Sequence, residues 1–350
     1  MNRSVLSIIA GAALLGLSKG GSKSSDDEDT SLLWRPHKAL ILSSTEDVHT
    51  AMSFDEREKS SYTKISIYFD EGILDGIPDG FFKGFNEVHQ LDMDVVGAEV
   101  EEDSDDFYFD FEEQNEDIEV QRAENRRLFS GMNFSIPKDF SDLTSLKYFS
   151  ANNMNIEIPI SKTVEEIRLG NCFVVRFPND MSKFESLEKI YIVNSDFTFL
   201  PESIGEVQSL YELEINMSGL KVLPQSVSNL RNLKTLSVWG NHLTELPESI
   251  GNLSSLETLN IGHPMSERVL EMANIASTSA ADVMNNPNPL KRLPDSIARL
   301  NLQSLGITGL SLPPPSREQI IIFNKIKNRE MLRKILQVYN MSNPSEIRRF

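Results

Sequence analysis

Apolar positions repeat at a fixed interval through the middle of the chain. Three consecutive segments begin with Leu-Pro, at positions 200, 223 and 246, so the interval is 23 residues. Within a segment, Leu236 and Val238 alternate with polar residues, which predicts a short strand with one buried face. The Leu-Pro half predicts a turn or short helix. Because one such unit cannot bury its apolar side alone, the units must stack on each other.

The proline of this motif extends the pattern beyond the three regular segments. It stands at the following positions: 78, 137, 159, 178, 201, 224, 247 and 294. Most steps are 19 to 23 residues, but one step is 59 and another is 47. Each long step equals one repeat plus extra residues. The spacing therefore predicts about nine repeats over 62–312, with insertions at about 97–132 and 265–288.

One repeat fills every expected position of a known motif, LxxLxLxxNxLxxLPxxIxxL. The residues that fill it are Leu233, Leu236, Val238, Asn241, Leu243 and Leu246. The sequence thus resembles the leucine-rich repeat family. The resemblance implies an α/β solenoid with a curved parallel β-sheet and a non-catalytic role in binding other proteins. Cys172, Ser195 and Ser218 occupy the asparagine position in other repeats, so we interpret Cys172 as a repeat residue.

The two ends of the chain differ from the repeats. Residues 1–31 form an apolar segment and a polar linker, and the apolar run of 13 residues is short for a membrane span of about 20. It fits a signal peptide or an anchoring arm, and both interpretations stay open. We expect an N-terminal cap over 32–61, with one strand and a helical stretch. Residues 313–350 are predicted to be a C-terminal helical cap, with one helix from about Arg317 to Asn340 and Lys334 facing water.

The net charge of −18 argues against nucleic acid as a partner, because phosphate binding needs clustered Lys and Arg. It also limits membrane contact to residues 4–17. The acidity is concentrated over 99–124, where thirteen Asp and Glu stand against one base, Arg122. Residues 317–350 are the opposite, with eight Lys and Arg against three Glu.

The acidic insertion has three open interpretations. It can be a solubilising loop, a calcium site, or a segment that docks on a basic surface through Phe107, Phe109 and Phe111. Alternation places these three side chains on one side of an extended strand. The basic C-terminal region of a neighbouring copy is one candidate surface. Calcium is the weakest interpretation, because the glycine-turn spacing of a calcium loop is missing.

Large side chains alternate with the buried leucines and are predicted to face outward from the concave sheet. The candidate partner-binding residues are Tyr148, Arg168, Lys189, Tyr191, Glu214, Trp239, Asn260 and His263. Tyr, Trp and Arg are the residue types that dominate interface energies. The alternative is that sheets tolerate exposed aromatic residues through cross-strand packing. The helix-favouring insertion after His263 either overhangs this face or packs on the flank.

The sequence lacks the motifs of catalysis. It has no GxSxG, no glycine-rich phosphate loop and no HExxH, and its five histidines are scattered, so we predict no enzyme activity, metal or cofactor. The predicted function is protein–protein recognition with an unknown partner. The alternative is a structural subunit of a virion or envelope layer, held by the N-terminal arm, and a more distant alternative is an enzyme or effector. A secreted or envelope location follows only if residues 1–18 are a signal.

Overall fold

A computed structural model describes residues 38–69, 77–95, 133–134, 137–172, 174–262, 288–310, 312–339 and 341. Ten strands of these ranges form one parallel sheet in chain order. They are β1 (Ala39–Leu42), β2 (Lys64–Phe69), β3 (Gln90–Val95), β5 (Tyr148–Asn152), β7 (Glu166–Gly170), β9 (Lys189–Val193), β10 (Glu212–Asn216), β11 (Thr235–Ser237), β12 (Thr258–Asn260) and β13 (Ser304–Gly306).

Two further sets of elements complete the coils. Three short parallel strands form a second sheet: β4 (Asn133–Phe134), β6 (Asn155–Glu157) and β8 (Val174–Arg176). Short 3-10 helices follow the motif prolines, at Lys138–Asp142, Met181–Lys183, Glu202–Glu206, Gln225–Asn229, Glu248–Asn252 and Asp295–Arg299. The α-helices of the described ranges are α1 (Thr45–Met52), α2 (Glu56–Lys59), α3 (Arg317–Phe323) and α4 (Arg329–Val338).

The predicted α/β solenoid with a parallel sheet is confirmed. Nine of the ten strands of the main sheet lie between Lys64 and Gly306, which agrees with the expected number of repeats. Neighbouring strands in a sheet lie about 4.8 Å apart, so ten strands make a surface roughly 43 Å long. The chain therefore presents an extended face.

The interior changes in composition along the stack. Leu213, Leu236 and Leu259 occupy the same register in β10, β11 and β12, and each is fully buried. Nearer the N-terminus the larger interior positions hold phenylalanine. Phe140 contacts Phe82 and Phe149 edge-on, with ring centroids 6.0 and 5.7 Å apart. Edge-to-face pairs of this kind add stability beyond their buried area.

In five successive coils, a residue with a left-handed backbone conformation (positive φ) follows the strand of the main sheet. These residues are Asn153, Asn171, Asn194, Met217 and Gly240, with φ between 51° and 67°. Glycine and asparagine tolerate this backbone region, whereas other residues are strained there. Met217, with a φ of 51°, is the exception among the five. The turn directs the chain from the concave sheet into the buried hydrogen-bond ladder described next.

The residue after the left-handed turn forms a buried ladder from coil to coil. The Ser195 hydroxyl accepts a hydrogen bond from the Cys172 backbone N–H at 3.0 Å, and the Ser218 hydroxyl accepts from the Ser195 N–H at 3.3 Å. The Asn241 Oδ1 accepts from the N–H groups of Ser218 and Leu220, both at 3.0 Å. Each side chain thus satisfies a backbone group that its neighbouring coil leaves without a partner.

Cys172 is a member of this ladder, as interpreted from the sequence. Its Sγ lies 3.4 Å from the backbone oxygens of both Ala151 and Gly170, and the side chain is buried. Burial raises the pKa of the thiol to about 12. The thiol is therefore protonated at neutral pH and is a structural group.

The ladder resumes at Asn288, at the approximate end predicted for the second insertion. Asn288 belongs to the ladder and is 2% exposed. Its Oδ1 accepts from the Leu243 N–H at 3.0 Å, and its Nδ2 donates to the Val238 and Ile261 carbonyls. The repeat motif N-x-L-x-x-L-P resumes at this asparagine, so the register returns immediately. Residues 263–287 lie outside the described ranges.

The single C-terminal helix predicted from about Arg317 to Asn340 is wrong. Helix α3 ends at Phe323, and α4 begins after Asn328. The Asn328 side chain accepts from the Met331 N–H to start α4 and donates to the Leu302 carbonyl at 2.8 Å. Because that contact ties the junction to the last coils, two short helices cover the end better than one straight helix.

Both cap helices donate hydrogen bonds to the last coils. Gln319 Nε2 donates to the Leu293 carbonyl at 2.8 Å, and Lys334 Nζ donates to the Leu305 carbonyl at 3.0 Å. Lys334 is therefore half-buried against the stack, contrary to the expectation that it faces water. Terminal coils of a solenoid need such covering groups, because no further coil pairs with them.

The first described strand begins the sheet at the N-terminal side. Strand β1 pairs in parallel with β2, and α1 and α2 follow it. Ser44 caps α1 by accepting from the Asp47 N–H at 3.1 Å. Within the described ranges, every helix is too short or too polar to cross a membrane. Residues 1–37, which include the predicted signal or arm, lie outside those ranges.

Replacing Asn241 with Ala is expected to lower the free energy of unfolding by about 3 kcal/mol. The change leaves the N–H groups of Ser218 and Leu220 without an acceptor, and each buried unsatisfied group costs about 1–3 kcal/mol. Urea unfolding measures the effect. The exposed neighbour serves as the control, because His242→Ala should change stability by less than about 0.5 kcal/mol. Equal losses in both variants would contradict the ladder.

Replacing Met217 with Asn is expected to stabilise the protein by about 1 kcal/mol. The left-handed backbone disfavours methionine, whereas asparagine occupies the same position in the two preceding coils. Thermal unfolding of the variant should show a higher Tm. Met217→Leu keeps the strain and is the control, with no expected gain. A gain in the Leu variant as large as that in the Asn variant would exclude backbone strain as the cause.

Candidate functional site

The outward-facing side chains of the main sheet form rows that cross the strands. The central row follows from the strand register and contains Ser66, Asp92, Ser150, Arg168, Tyr191, Glu214, Ser237 and Asn260. Its neighbours along each strand are core residues such as Ile190 and Ile192, which are fully buried. Alternation along the strands thus separates a continuous outer face from the core.

Glu166 organises the centre of this face. It starts β7, its side chain is 9% exposed, and it pairs with both Arg168 and Lys189. The Lys189 Nζ lies 3.6 Å from Glu166 Oε2. Burial is the largest single cause and opposes the charged form of Lys189, but Glu166, Tyr211 and Glu212 together outweigh it, so the pKa of the lysine is raised. The carboxylate therefore fixes two cations side by side across β7 and β9.

Aromatic rings lie beside these cations. The Arg168 guanidinium is 5.0 Å from the centre of the Tyr191 ring, and the Lys189 ammonium is 5.7 Å from the centre of the Tyr211 ring. A cation within about 6 Å of a ring face is attracted to it. The cations and rings thus hold each other in fixed positions on the face.

Two carboxylates follow on β10. Tyr191 is hydrogen-bonded to Glu212; burial comes first among the causes that raise the pKa of the tyrosine, and this bond comes second. Burial also raises the pKa of Glu214, and the charge of Glu212 adds to the effect. The Glu214 Oε2 accepts from the Asn216 Nδ2 at 3.2 Å. The centre of the face is thus a cationic pair bordered by an acidic strand.

A second acidic group lies on β3. Asp92 pairs with Lys64 at 3.1 Å and accepts from the Ser150 hydroxyl at 2.6 Å. Asp94 accepts from Asn153 Nδ2 at 2.9 Å, and burial raises its pKa to about 6. Within the described ranges, Asp94 makes no salt bridge within 4.0 Å. It is a poorly solvated carboxyl group at the rim of the face.

The structure brings the core of the predicted site together. Arg168, Tyr191 and Glu214 are direct neighbours in the central row, and Lys189 lies in the adjacent row. Tyr148 lies two strands away from Lys189 in that adjacent row and is 46% exposed.

The remaining predicted residues are more distant. Trp239 stands two residues after the end of β11, at the rim, where its carbonyl accepts from the Met217 N–H. Asn260 lies in β12, two strands from Glu214. Its Oδ1 is buried without a hydrogen-bond partner among the described residues. His263, Phe107, Phe109 and Phe111 lie outside the described ranges, so their roles stay predictions.

Both predicted insertions follow a strand of the main sheet in the sequence. The described residues break off at Val95, where β3 ends, and at Gly262, two residues after β12. Five strands of the main sheet lie between β3 and β12: β5, β7, β9, β10 and β11. The row of Arg168, Tyr191 and Glu214 therefore lies between the two strands after which the insertions are predicted.

Sequence reasoning missed the residue on which the central pairs depend. Glu166 lies two residues before Arg168 in β7, so the alternation of side chains along the strand places both on the outer face. The same alternation could have identified Glu166 as a candidate site residue. It was overlooked because a glutamate at a strand start is usually exposed. Tyr211 was missed because it precedes the regular strand positions, and its contact with Lys189 depends on the tertiary structure.

The described residues offer little for metal binding. In those ranges, no three His, Cys, Asp or Glu side chains are close enough to hold a metal ion. The histidines that are described, such as His89 and His242, lie on different coils. The chemistry available on the concave face is ionic, aromatic and hydrogen-bonding contact.

Comparison with known families supports the repeat architecture. Residues 178–277 match a family model described as a leucine-rich repeat region, which covers less than a third of the chain. The resemblance stated from the sequence is confirmed over these residues, which are similar to the leucine-rich repeat family. No curated protein matches the sequence significantly.

Several solved structures are similar to this chain at low sequence identity. The leucine-rich repeat domain of the type III effector XopL is 16% identical, with 77% of this chain and 76% of that chain covered and a TM-score of 0.47. Listeria monocytogenes InlP is 15% identical, with 77% and 69% covered and a TM-score of 0.42. The plant peptide hormone receptor RGFR1, in complex with RGF2, is 14% identical, with 84% and 42% covered and a TM-score of 0.43. This chain thus spans less than half of the receptor chain.

Replacing Asp94 with Asn is expected to raise the free energy of unfolding above that of the parent protein, and by more at pH 7 than at pH 4.5. The folded protein keeps the Asp94 proton up to a pKa of about 6, whereas the unfolded carboxyl loses it near its ordinary pKa of 3.8. Between about pH 4 and 6 the unfolded state therefore binds fewer protons, so this group makes folding less favourable as the pH rises. The asparagine side chain removes that penalty.

Urea unfolding of the parent and the Asp94→Asn variant at pH 4.5 and pH 7 measures the effect. The quantity compared is the change in unfolding free energy caused by the substitution at each pH. Asp92→Asn is the matched control, because Asp92 is paired with Lys64 and should not reproduce the gain at pH 7. If the Asp94→Asn variant shows the same pH dependence as the parent, the proton is not held on Asp94.

Proposed function

We propose that the chain is a non-catalytic scaffold that recognises another protein through its concave sheet. The observation that carries this proposal is the fixed group of Arg168, Lys189 and Tyr191, held by the nearly buried Glu166. Solenoids generally use their extended concave surfaces for binding. Side chains that are already ordered lose less conformational entropy when a partner binds.

The composition of the face supports a protein partner over a small ligand. The rows extend over roughly 43 Å of sheet at the strand spacing of about 4.8 Å, which suits a long contact. Aromatic and arginine side chains at the centre, with polar groups around them, match the usual anatomy of interfaces.

A structural role in a larger assembly is the second candidate function. It would use the same face, with further copies of the chain as the partner. The solenoid geometry allows this role because its outer 3-10 helices and its concave sheet are different surfaces. In the first function the concave face binds a different protein, and in the second it binds another copy of this chain.

Photo-crosslinking from the concave face separates these functions. A benzophenone amino acid at Tyr148 in the full chain is expected to capture a distinct protein, which mass spectrometry identifies. The same group at Asn229, on the outer 3-10 helix Gln225–Asn229, is the control and should not capture it. Capture of only the chain itself, together with a large mass by light scattering, would support the assembly role instead. Equal capture from both positions would contradict a concave binding surface.

Replacing both Tyr191 and Trp239 with Ala is expected to weaken binding of the captured partner at least tenfold. An aromatic residue at the centre of an interface, such as Tyr191 on this face, commonly contributes about 2 kcal/mol or more, which exceeds a tenfold change in Kd. The matched control is Asn229→Ala with Arg231→Ala on the outer surface. Circular dichroism checks that both variants fold. Unchanged affinity in a folded Tyr191 and Trp239 variant would overturn the proposed surface.

A further inference from the structure

A second surface lies on the flank of the solenoid, where the small sheet continues across the coils. In each coil, the motif proline follows a buried apolar residue, and the residue immediately before that apolar residue is exposed. In five successive coils this residue is Glu157, Arg176, Phe199, Val222 and Glu245. Phe199 is 64% exposed and Val222 is 59% exposed. The two are adjacent, because they form a parallel bridge and the Lys221 N–H donates to the Thr198 carbonyl.

The exposed phenylalanine borders a hollow. A cavity of about 280 Å³ lies between the coils and is lined largely by Val175, Phe177, Pro178, Phe199 and Pro201. A cavity of about 150 Å³ is enough to bind benzene, so this hollow can accept one aromatic side chain. An exposed apolar patch beside such a hollow marks a docking site, because leaving it in water is unfavourable.

Basic groups border the apolar patch. Arg176 and Lys221 are exposed on its two sides. Neither makes a salt bridge within 4.0 Å with another described residue. Glu157 and Glu245 stand at the two ends of the row; Glu157 also lines the hollow, and Glu245 directly follows Val222 in that row. A ligand that suits this patch therefore has aromatic side chains, with carboxylates placed to meet Arg176 and Lys221.

One segment of this chain has that combination. Residues 99–124 carry thirteen acids against one base, and Phe107, Phe109 and Phe111 stand among those acids. The last described residue of the main sheet before this segment is Val95. The next described residues are Asn133 and Phe134, which form β4. Strand β4 belongs to the same small sheet, in the order β4-β6-β8, whose continuation carries Phe199 and Val222.

The connection is long enough to reach the patch. Three strand spacings of about 4.8 Å separate β4 from the row of Phe199, which is roughly 14 Å. The 22 residues from Phe111 to Asn133 can span up to about 70 Å when extended. A tethered segment also has an effective concentration on the order of millimolar, which favours it over a free competitor.

We propose that the acidic segment around Phe107–Phe111 docks on the flank of its own chain. An aromatic side chain of the segment occupies the hollow beside Phe199, and neighbouring carboxylates face Arg176 and Lys221. The same solenoid then has two separate surfaces, a concave sheet for a partner and a flank that receives its own insertion. This inference does not depend on the proposed function of the concave face.

Zero-length crosslinking of the full chain tests the proposal. A carbodiimide joins a lysine amine to a carboxylate only when the two groups are in contact. The expected product joins Lys221 to an acid within residues 101–113, identified by mass spectrometry after proteolysis. A mixture of isotopically labelled and unlabelled protein shows whether the product forms within one copy. No product at Lys221, or a product only between copies, would overturn docking on the same chain.

Matched variants test the role of the apolar contact. Phe199→Ser together with Val222→Ser should reduce the Lys221 product at least tenfold, because the patch loses both apolar side chains. Ile321→Ser removes another exposed apolar residue, 59% exposed in α3, and should leave the product unchanged. Phe107→Ser, Phe109→Ser and Phe111→Ser combined keep every charge and should also reduce it at least tenfold. Retention of the product in the Phe199 and Val222 variant, or in the triple variant, would overturn the proposed aromatic docking.

Discussion

The structure depends on satisfying backbone groups where each coil turns away from the concave sheet. A coil of 23 residues cannot pair all of its own N–H groups at that turn, and unpaired buried groups are costly. The ladder through Cys172, Ser195, Ser218, Asn241 and Asn288 supplies the missing partners from one coil to another. Hydroxyl and amide groups serve there because each can accept from an N–H group and also donate to a carbonyl, and the Cys172 thiol lies within donating distance of two carbonyls.

This constraint also explains where the chain accepts extra residues. The predicted insertions follow β3 and β12, and the strands before and after each of them pair in a continuous register. After the second insertion the ladder resumes at once with Asn288, whose side chain bonds to Leu243 in the preceding coil. Because each coil contacts mainly its neighbours, a long excursion at one turn does not propagate along the stack.

The outer face has a different organisation from the core. Its order comes from a few ionic and aromatic contacts centred on Glu166, which holds Arg168 and Lys189 near the rings of Tyr191 and Tyr211. These contacts are distributed over three adjacent strands. Packing fixes the interior leucines, whereas the outward-facing side chains contribute little to the core. The side chains of the outer face can therefore change while the fold is kept.

The amino-acid sequence alone determined the repeat length, the parallel solenoid and the outward side of each strand, because these follow from the spacing of apolar residues. It could also have identified Asn288, since N-x-L-x-x-L-P is repeated there. Only the tertiary structure decided that Glu166 pairs with two cations and that the cap divides at Asn328. Those outcomes depend on distances between coils, which a linear pattern does not contain.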